Sequence, residues 1–319
     1  MSSFSSRAVG AIVGGIIADA AGVPIHWIYN PADLAAVLAK HDKPEFIPEG
    51  QSPFYKIPTG SQSIYGDQCY VMLKSLVENK GLNVESYKAI LKATFGPGTA
   101  YEIDHSGPRP IKGPWISHSL IAFLANYKEN KEKTGDTESR DMDGVSKLGP
   151  LVALYAGDPK LMECVEAVTR VTQDNDIAVK FTLAGAKLLE SYILNGPNLQ
   201  AVEEIMNSAD PEVKDAFQDV LNIKTQPHAE AVKKYKPSCS IPGCLQNSLH
   251  GLVNATDDFA SSLRPTMVAT GDNCGRLLFL GACLGAQRGV ESLPADWVSK
   301  TSKAEEVKTL AEQLLALRK

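Results

Sequence analysis

The sequence is poor in the features that mark the most easily recognised classes of protein. Its formal charge is only −5 over 319 residues, and it has no run of like charges. That excludes the broad basic face on which nucleic acid binds, and it gives no sign of a charged interaction tail. Six cysteines are too few for a disulfide scaffold in a chain of this length, so reduced thiols in a cytoplasmic protein are expected. Cys239 and Cys244 flank Ser240-Ile241-Pro242-Gly243, but no second Cys or His pair follows at finger-like spacing, so no structural zinc is expected there. Alternating runs of β-branched residues bounded by turns are absent, which excludes a sheet-based fold. No repeat is visible either. The apolar run that follows Arg7 superficially resembles a leader peptide. It is short, holds Gly10, Gly14 and Gly15, meets Asp19 early and merges into Pro24–Trp27 without a polar break, which predicts a buried first helix rather than a leader or a membrane span.

What the sequence does have is helical periodicity. Apolar residues recur mostly at three- and four-residue spacing, and caps and breakers punctuate them. Helices are expected over residues 5–20, 70–77, 84–95, 115–127, 148–155, 159–171, 177–194, 245–255, 257–263, 275–288 and 303–317. Asn83 reads as a cap, and Asp210-Pro211 starts a further helix, Asp as cap and Pro at the first helical position. Residues 128–143 and 224–242 read as irregular, as does the Gly- and Pro-rich stretch 96–114. That last stretch carries Tyr101, Glu102, Asp104, His105, Arg109 and Lys112, and long polar loops of this kind are often functional. The expected fold class is all-α, a compact orthogonal helical bundle, and nothing marks a boundary within 1–319.

Two short runs share an order of residues: Gly66-Asp67-Gln68-Cys69 and Gly271-Asp272-Asn273-Cys274. Each stands before an apolar helix, where an Asp serves as an N-cap and complements the helix dipole. Brought together, they offer more. Converging helix N-termini present N–H groups suited to phosphate or carboxylate, which makes Gly66, Gln68, Gly271 and Asn273 candidate ligand contacts. Two aspartates, Asp67 and Asp272, are candidate ligands for a hard cation.

The wider sequence carries a family resemblance. Ala8-Val9-Gly10-Ala11 through Gly14, Asp19-Ala20 and Gly22-Val23-Pro24 resembles the opening helix of the ADP-ribosylglycohydrolases. The run Lys-Leu-Gly-Pro-Leu-Val-Ala-Leu-Tyr-Ala-Gly-Asp-Pro from Lys147 to Pro159 looks like their central segment, and residues 270–289 are similar to their C-terminal core helix. Leu293-Pro294-Ala295-Asp296-Trp297 resembles the usual exit from it, so the likeness spans nearly the whole chain. It implies an all-α fold that cleaves ADP-ribose from proteins or small acceptors with two magnesium ions. It also implies six metal ligands, three in each Gly-Asp run. Only Asp67 and Asp272 match that set, while Gly66, Gln68, Cys274 and Gly275 fill the other positions. His26 stands where an acidic residue often follows the opening helix, and Lys147 stands where an arginine is common. These departures, together with Tyr101-Glu102 and the run from Pro110 to Trp115, resemble one branch of the superfamily, the J-type crystallins of jellyfish lens and the related selenoprotein J.

Several functions stay open on these residues. The first is a soluble, crystallin-like structural protein without a cofactor. The second is an ADP-ribosyl-acceptor hydrolase in which Asp67 and Asp272 hold magnesium, with Glu102 or Asp104 helping to activate a metal-bound water. A third is a thiol function. The family's loop geometry would bring Cys69 and Cys274 near two helix N-termini, where thiol pKa falls, as a redox pair or as part of a zinc site. A fourth is binding of ADP-ribose or a nucleotide without hydrolysis. No nucleic-acid or membrane partner is expected.

Overall fold

The computed structural model describes residues 2–103 and 106–318. The described residues form seventeen α-helices, and their strand content is one parallel pair, Tyr55–Lys56 with Ile111–Lys112. Helical periodicity therefore carries the fold, as the sequence led us to expect. The short strand pair is too local to be read from alternation.

The first helix, Phe4–Gly22, is the centre of the molecule. Ser3 caps it by accepting from the Ser6 amide, and every residue from Ala8 to Gly22 is buried. The segment Phe4–Ile25 has the length and apolarity of a membrane span (22 residues), yet its apolar window lies wholly inside the protein. The helix keeps close to the expected bounds of 5–20, running through Asp19 to Gly22. The Asp19 carboxylate is bonded internally.

Against this helix lies a second, Asn273–Arg288, buried from Asn273 to Ala286. Glycines on both set their separation. A Cβ on Gly14 would fall 2.6 Å from the Gly281 carbonyl oxygen, and one on Gly281 would fall 2.5 Å from the Gly14 oxygen. Gly10 and Gly285 face each other in the same way one turn along. Backbone-to-backbone packing this close leaves no room for side chains, and it brings the end of the first helix, with Asp19, beside the start of the second, with Asp272.

Several elements differ from their sequence expectations. The helix after the first Gly-Asp run begins at Ile64, not Tyr70, and extends to Glu78. Ser63 is the true cap, its hydroxyl accepting from the Tyr65 amide at 3.2 Å. Gly66-Asp67-Gln68-Cys69 therefore lies in the first turns of a helix, not in a loop before one. The second run keeps the expected geometry, with Asp272 capping its helix through the Gly275 amide. Within 224–242, expected to be irregular, His228–Tyr235 is helical. Asp210 precedes the Pro211–Asn222 helix as expected but makes no side-chain cap bond. The helix Leu148–Tyr155 has the bounds expected, and Asn83 caps Val84–Phe95 by accepting from the Ser86 amide.

Three C-terminal helices are joined by a histidine pair. His250 Nε2 lies 3.3 Å from the Ile223 carbonyl and so carries the proton that it donates there. Its Nδ1, 3.1 Å from His228 Nδ1, must then accept, which makes His228 the donor. The Thr266 hydroxyl completes the chain, donating to His228 Nε2 at 3.1 Å. Both rings are neutral in this arrangement, and a further proton on His250 would set two N–H groups against each other. Burial, the Arg276 charge and His250 push His228 down from 6.5 to about 3, and burial lowers His250 as well.

Because the folded pKa lies below the unfolded one, the unfolded chain takes up protons that the folded chain refuses. The stability this pair provides is complete above 6.5 and declines as pH falls from there toward 3. Asp19 and Asp141, raised to about 7 and about 6 by burial first, titrate with the opposite sign over part of this window. Comparing wild type with His228→Gln isolates the imidazole. The stability gap between them should narrow by up to about 2 kcal/mol between pH 7 and pH 5. Urea titrations at a series of pH values measure it, and a gap independent of pH would contradict the neutral pair.

Candidate functional site

The two Gly-Asp runs do come together, around a residue outside both of them. Asp19 sits at the end of the first helix, fully buried. Ser63 donates to it through both its amide (2.8 Å) and its hydroxyl. The Gln62 amide, turned so that its nitrogen faces Asp19, donates to Oδ2 at 3.0 Å and to the Ile16 carbonyl at 3.1 Å. Burial raises the Asp19 carboxyl to about 7 against these bonds, and the charges of Asp67 and Asp272 push the same way. The Asp19 carboxylate also occupies the space beside Gly66, since a Cβ there would lie 2.9 Å from its Cγ and closer still to Oδ2.

Asp272 is buried on the other side, and both its oxygens are taken. Oδ1 accepts from His26 Nε2 at 2.8 Å and from the Gly275 amide at 3.2 Å, while Oδ2 accepts from the Tyr65 hydroxyl at 2.8 Å. Tyr55 lies 2.7 Å from His26 Nδ1 and donates to it, which fixes the proton of the neutral ring on Nε2. Burial pushes His26 below its ordinary value although Asp272 pulls it up. Burial would raise the Asp272 carboxyl, but the bond and charge of His26, the Arg276 charge and the Tyr65 hydroxyl hold it below the usual carboxylate value. The pair is thus a neutral imidazole donating to a carboxylate.

Asp67 is the more accessible of the two. Lys303 Nζ lies 2.7 Å from its Oδ1, and the Tyr101 hydroxyl donates to Oδ2 at 2.5 Å. It opens on a cleft of about 370 Å³, lined also by Gln62, Tyr70, Thr94 and Ser302. Gln68 turns inward, donating to Asp143 Oδ1 at 2.6 Å, and its own carbonyl oxygen finds no partner. The Asn273 amide donates to the Gly22 carbonyl at 3.0 Å. Gly271 holds a left-handed turn (φ 65°), with its amide on the Ile28 carbonyl and its carbonyl on the Trp27 amide. Arg276 is fully buried, reaches the Thr270 carbonyl, and leaves Nε and one terminal nitrogen unpartnered.

The remaining sequence candidates fall elsewhere. Glu102 is exposed and accepts from the Gly98 amide at 2.7 Å, while Asp104 and His105 lie outside the described residues. Arg109 stacks its guanidinium 5.1 Å from the Phe54 ring and 5.3 Å from the Trp115 ring. Lys147 is buried, with Nζ on the Thr172 hydroxyl, and burial lowers it to about 8. Cys69 and Cys274 do not have the activated character expected of thiols at helix N-termini. Cys69 faces Gly149, Cys274 lies 3.7 Å from the Asp19 carbonyl, and burial pushes both thiols up, with Asp19 adding to the effect. Burial and the nearby carboxylate outweigh the helix dipole, and at Cys274 they outweigh the Arg276 charge too. Among the described residues, no group of three or more His, Cys, Asp or Glu is placed to hold a metal ion.

Sequence reasoning named Asp19, His26 and Tyr101 without giving them a place in the site, and it missed Tyr65 and Lys303 altogether. His26 did carry a signal, since it stands in place of the family's acidic residue. Lys303 carried none, being 236 residues from its partner.

An all-helical core with paired aspartates at two helix N-terminal turns defines a protein of the ADP-ribosylglycohydrolase class. The model of the ADP-ribosylglycohydrolase family matches residues 1–319, and the chain belongs to that family. It is similar to Crystallin J1A of Tripedalia cystophora, at 39% identity over 98% of this chain and 97% of that protein. Crystallin J1B of the same animal is 36% identical over the same shares. Among solved structures, an ADP-ribosylglycohydrolase-related protein complex shares the fold, with a TM-score of 0.69 and 18% identity across 99% of both chains.

The contact between Gly66 and Asp19 has a direct consequence. Gly66→Ala should destabilise the protein by roughly 1–3 kcal/mol, because its Cβ must displace a buried, bonded carboxylate. Gly149→Ala is the control. Its Cβ would meet nothing closer than 3.7 Å, and it sits in a helix, so it should be neutral or slightly stabilising. Thermal midpoints compare the two, and equal effects would contradict this packing.

Proposed function

We propose that this chain is a crystallin-like structural protein on an ADP-ribosylglycohydrolase fold, in which an internal polar network stands in place of the two-magnesium centre. One observation carries the proposal: both retained aspartates spend their oxygens on the protein's own donors. Asp67 is taken by Lys303 and Tyr101, and Asp272 by His26, Tyr65 and the Gly275 amide. Magnesium requires near-octahedral oxygen coordination and holds thiolate poorly. Gly66 and Gly275 bring no side-chain oxygen, Cys274 brings sulfur, and Gln68 is turned to Asp143. These residues do not fit a two-metal cluster. The names of the two jellyfish relatives support the structural half of the proposal.

A second reading, binding of ADP-ribose or a nucleotide without hydrolysis, is favoured by the cleft at Asp67. Its volume of about 370 Å³ and its tyrosine and hydroxyl lining suit a small polar, partly aromatic ligand.

Two measurements separate these readings from each other and from catalysis. Under the structural proposal, ADP-ribose, magnesium and zinc, alone and combined, leave the thermal midpoint unchanged, and no ADP-ribose is released from a panel of ADP-ribosylated acceptors. A ligand that binds only the folded state must raise the midpoint, so a rise with ADP-ribose alone supports the second reading. Magnesium-dependent release that is lost in both Asp67→Ala and Asp272→Ala overturns the structural proposal. Absence of the protein from the major soluble fraction of eye tissue would sink the crystallin role.

A further inference from the structure

The partner of Asp67 is not an ordinary surface lysine. Lys303 is the residue that opens the Ala304–Leu315 helix, and the chain just before it is clamped in place. Ser302 donates to the Gly60 carbonyl through both its amide (2.9 Å) and its hydroxyl (3.0 Å), and the Thr301 hydroxyl bonds back to Trp297. The ammonium group then lies 2.7 Å from Asp67 Oδ1 and 4.5 Å from the centre of the Tyr70 ring, so a carboxylate and an aromatic face both hold it. Tyr70 is itself fixed by its bond to Glu306 on the same C-terminal helix, at 2.6 Å. The Asp67 side chain is only 16% exposed, and Asp19 lies within reach of its charge. A carboxylate so placed needs a positive partner, and this family's chemistry supplies one as a divalent ion.

We infer that Lys303 is a tethered cation that neutralises Asp67 and keeps divalent ions out of the cleft. The inference rests on the proposal that the metal centre has been replaced, and it names the residue that does the replacing on the Asp67 side. A fixed positive charge beside the carboxylate satisfies it electrostatically and repels a second cation. The C-terminal helix, which packs on both the first helix and the Ile64–Glu78 helix, delivers that charge as part of folding. Lys303 is thus a positioning residue for the site, not a solvated charge on its rim.

Removing the tether should open the carboxylate to ions. Lys303→Met, with Lys303→Gln as a second neutral variant, should lower the thermal midpoint by about 2 °C. Millimolar magnesium or manganese should then recover a similar shift beyond that given by sodium chloride of equal ionic strength. Wild type and Lys303→Arg should show no such divalent-specific rise, and the double variant Lys303→Met/Asp67→Asn should lose it. A merely structural ion pair would give the drop without the divalent-specific recovery, and that result overturns the inference. So does a wild-type response as large as that of the neutral variants. Release of ADP-ribose from ADP-ribosylated acceptors, followed in the same samples, tests the proposed function separately. Turnover by wild type sinks that proposal, whereas a missing divalent response in the neutral variants sinks only the role of Lys303.

Discussion

The rest of the structure depends on the close approach of the first helix to the Asn273–Arg288 helix. Gly10, Gly14, Gly281 and Gly285 let the two backbones touch, and both helices are buried along almost their whole length. That contact places Asp19 at the end of one helix beside Asp272 at the start of the other, deep in the protein. Once carboxylates are buried there, every oxygen must find a donor or a cation, because an unpaired buried charge costs several kcal/mol. The polar groups around the site follow from this requirement. Ser63 and Gln62 answer Asp19, His26 and Tyr65 answer Asp272, Lys303 and Tyr101 answer Asp67, and Gln68 answers Asp143.

A metal cluster is one way to satisfy such a set of carboxylates, and a network of side-chain donors is another. The two place opposite demands on the residues present. A cluster needs many oxygen ligands with free lone pairs facing a common point. A network needs neutral or cationic donors, and here it has two tyrosines and a neutral imidazole around Asp272 and an ammonium group at Asp67. Burial raises Asp19 to about 7 against the Ser63 donors that face it. The fold itself is shared, at 18% identity, with an ADP-ribosylglycohydrolase-related structure.

The residues show which parts of this were legible in sequence. The Leu148–Tyr155 helix was readable because its apolar run ends at Ala156-Gly157, where Gly157 takes a positive φ of 82°. Asn83 was readable as a cap because side-chain capping is local chemistry. The family pattern singled out Asp67 and Asp272 and drew notice to Gly66, Gln68, Cys274 and Gly275, which stand where the resemblance implies ligands. The start of the helix at Ile64 was misplaced because the Gly-Asp run looked more like a cap than Ser63 did, although the serine does the capping. Cys69 and Cys274 were credited with reactivity on helix position alone, and their burial reverses the sign. The partners that complete the site, His26 and Lys303, come from distant segments, and only the tertiary fold makes them neighbours.

The most direct test of the central claim is anomalous diffraction from crystals soaked in manganese, which reports a bound ion by its position. The account predicts Asp67 still paired with Lys303, Asp272 still paired with His26, and no manganese peak between them. A manganese ion about 2.1 Å from oxygens of both aspartates, with Lys303 displaced, would contradict it.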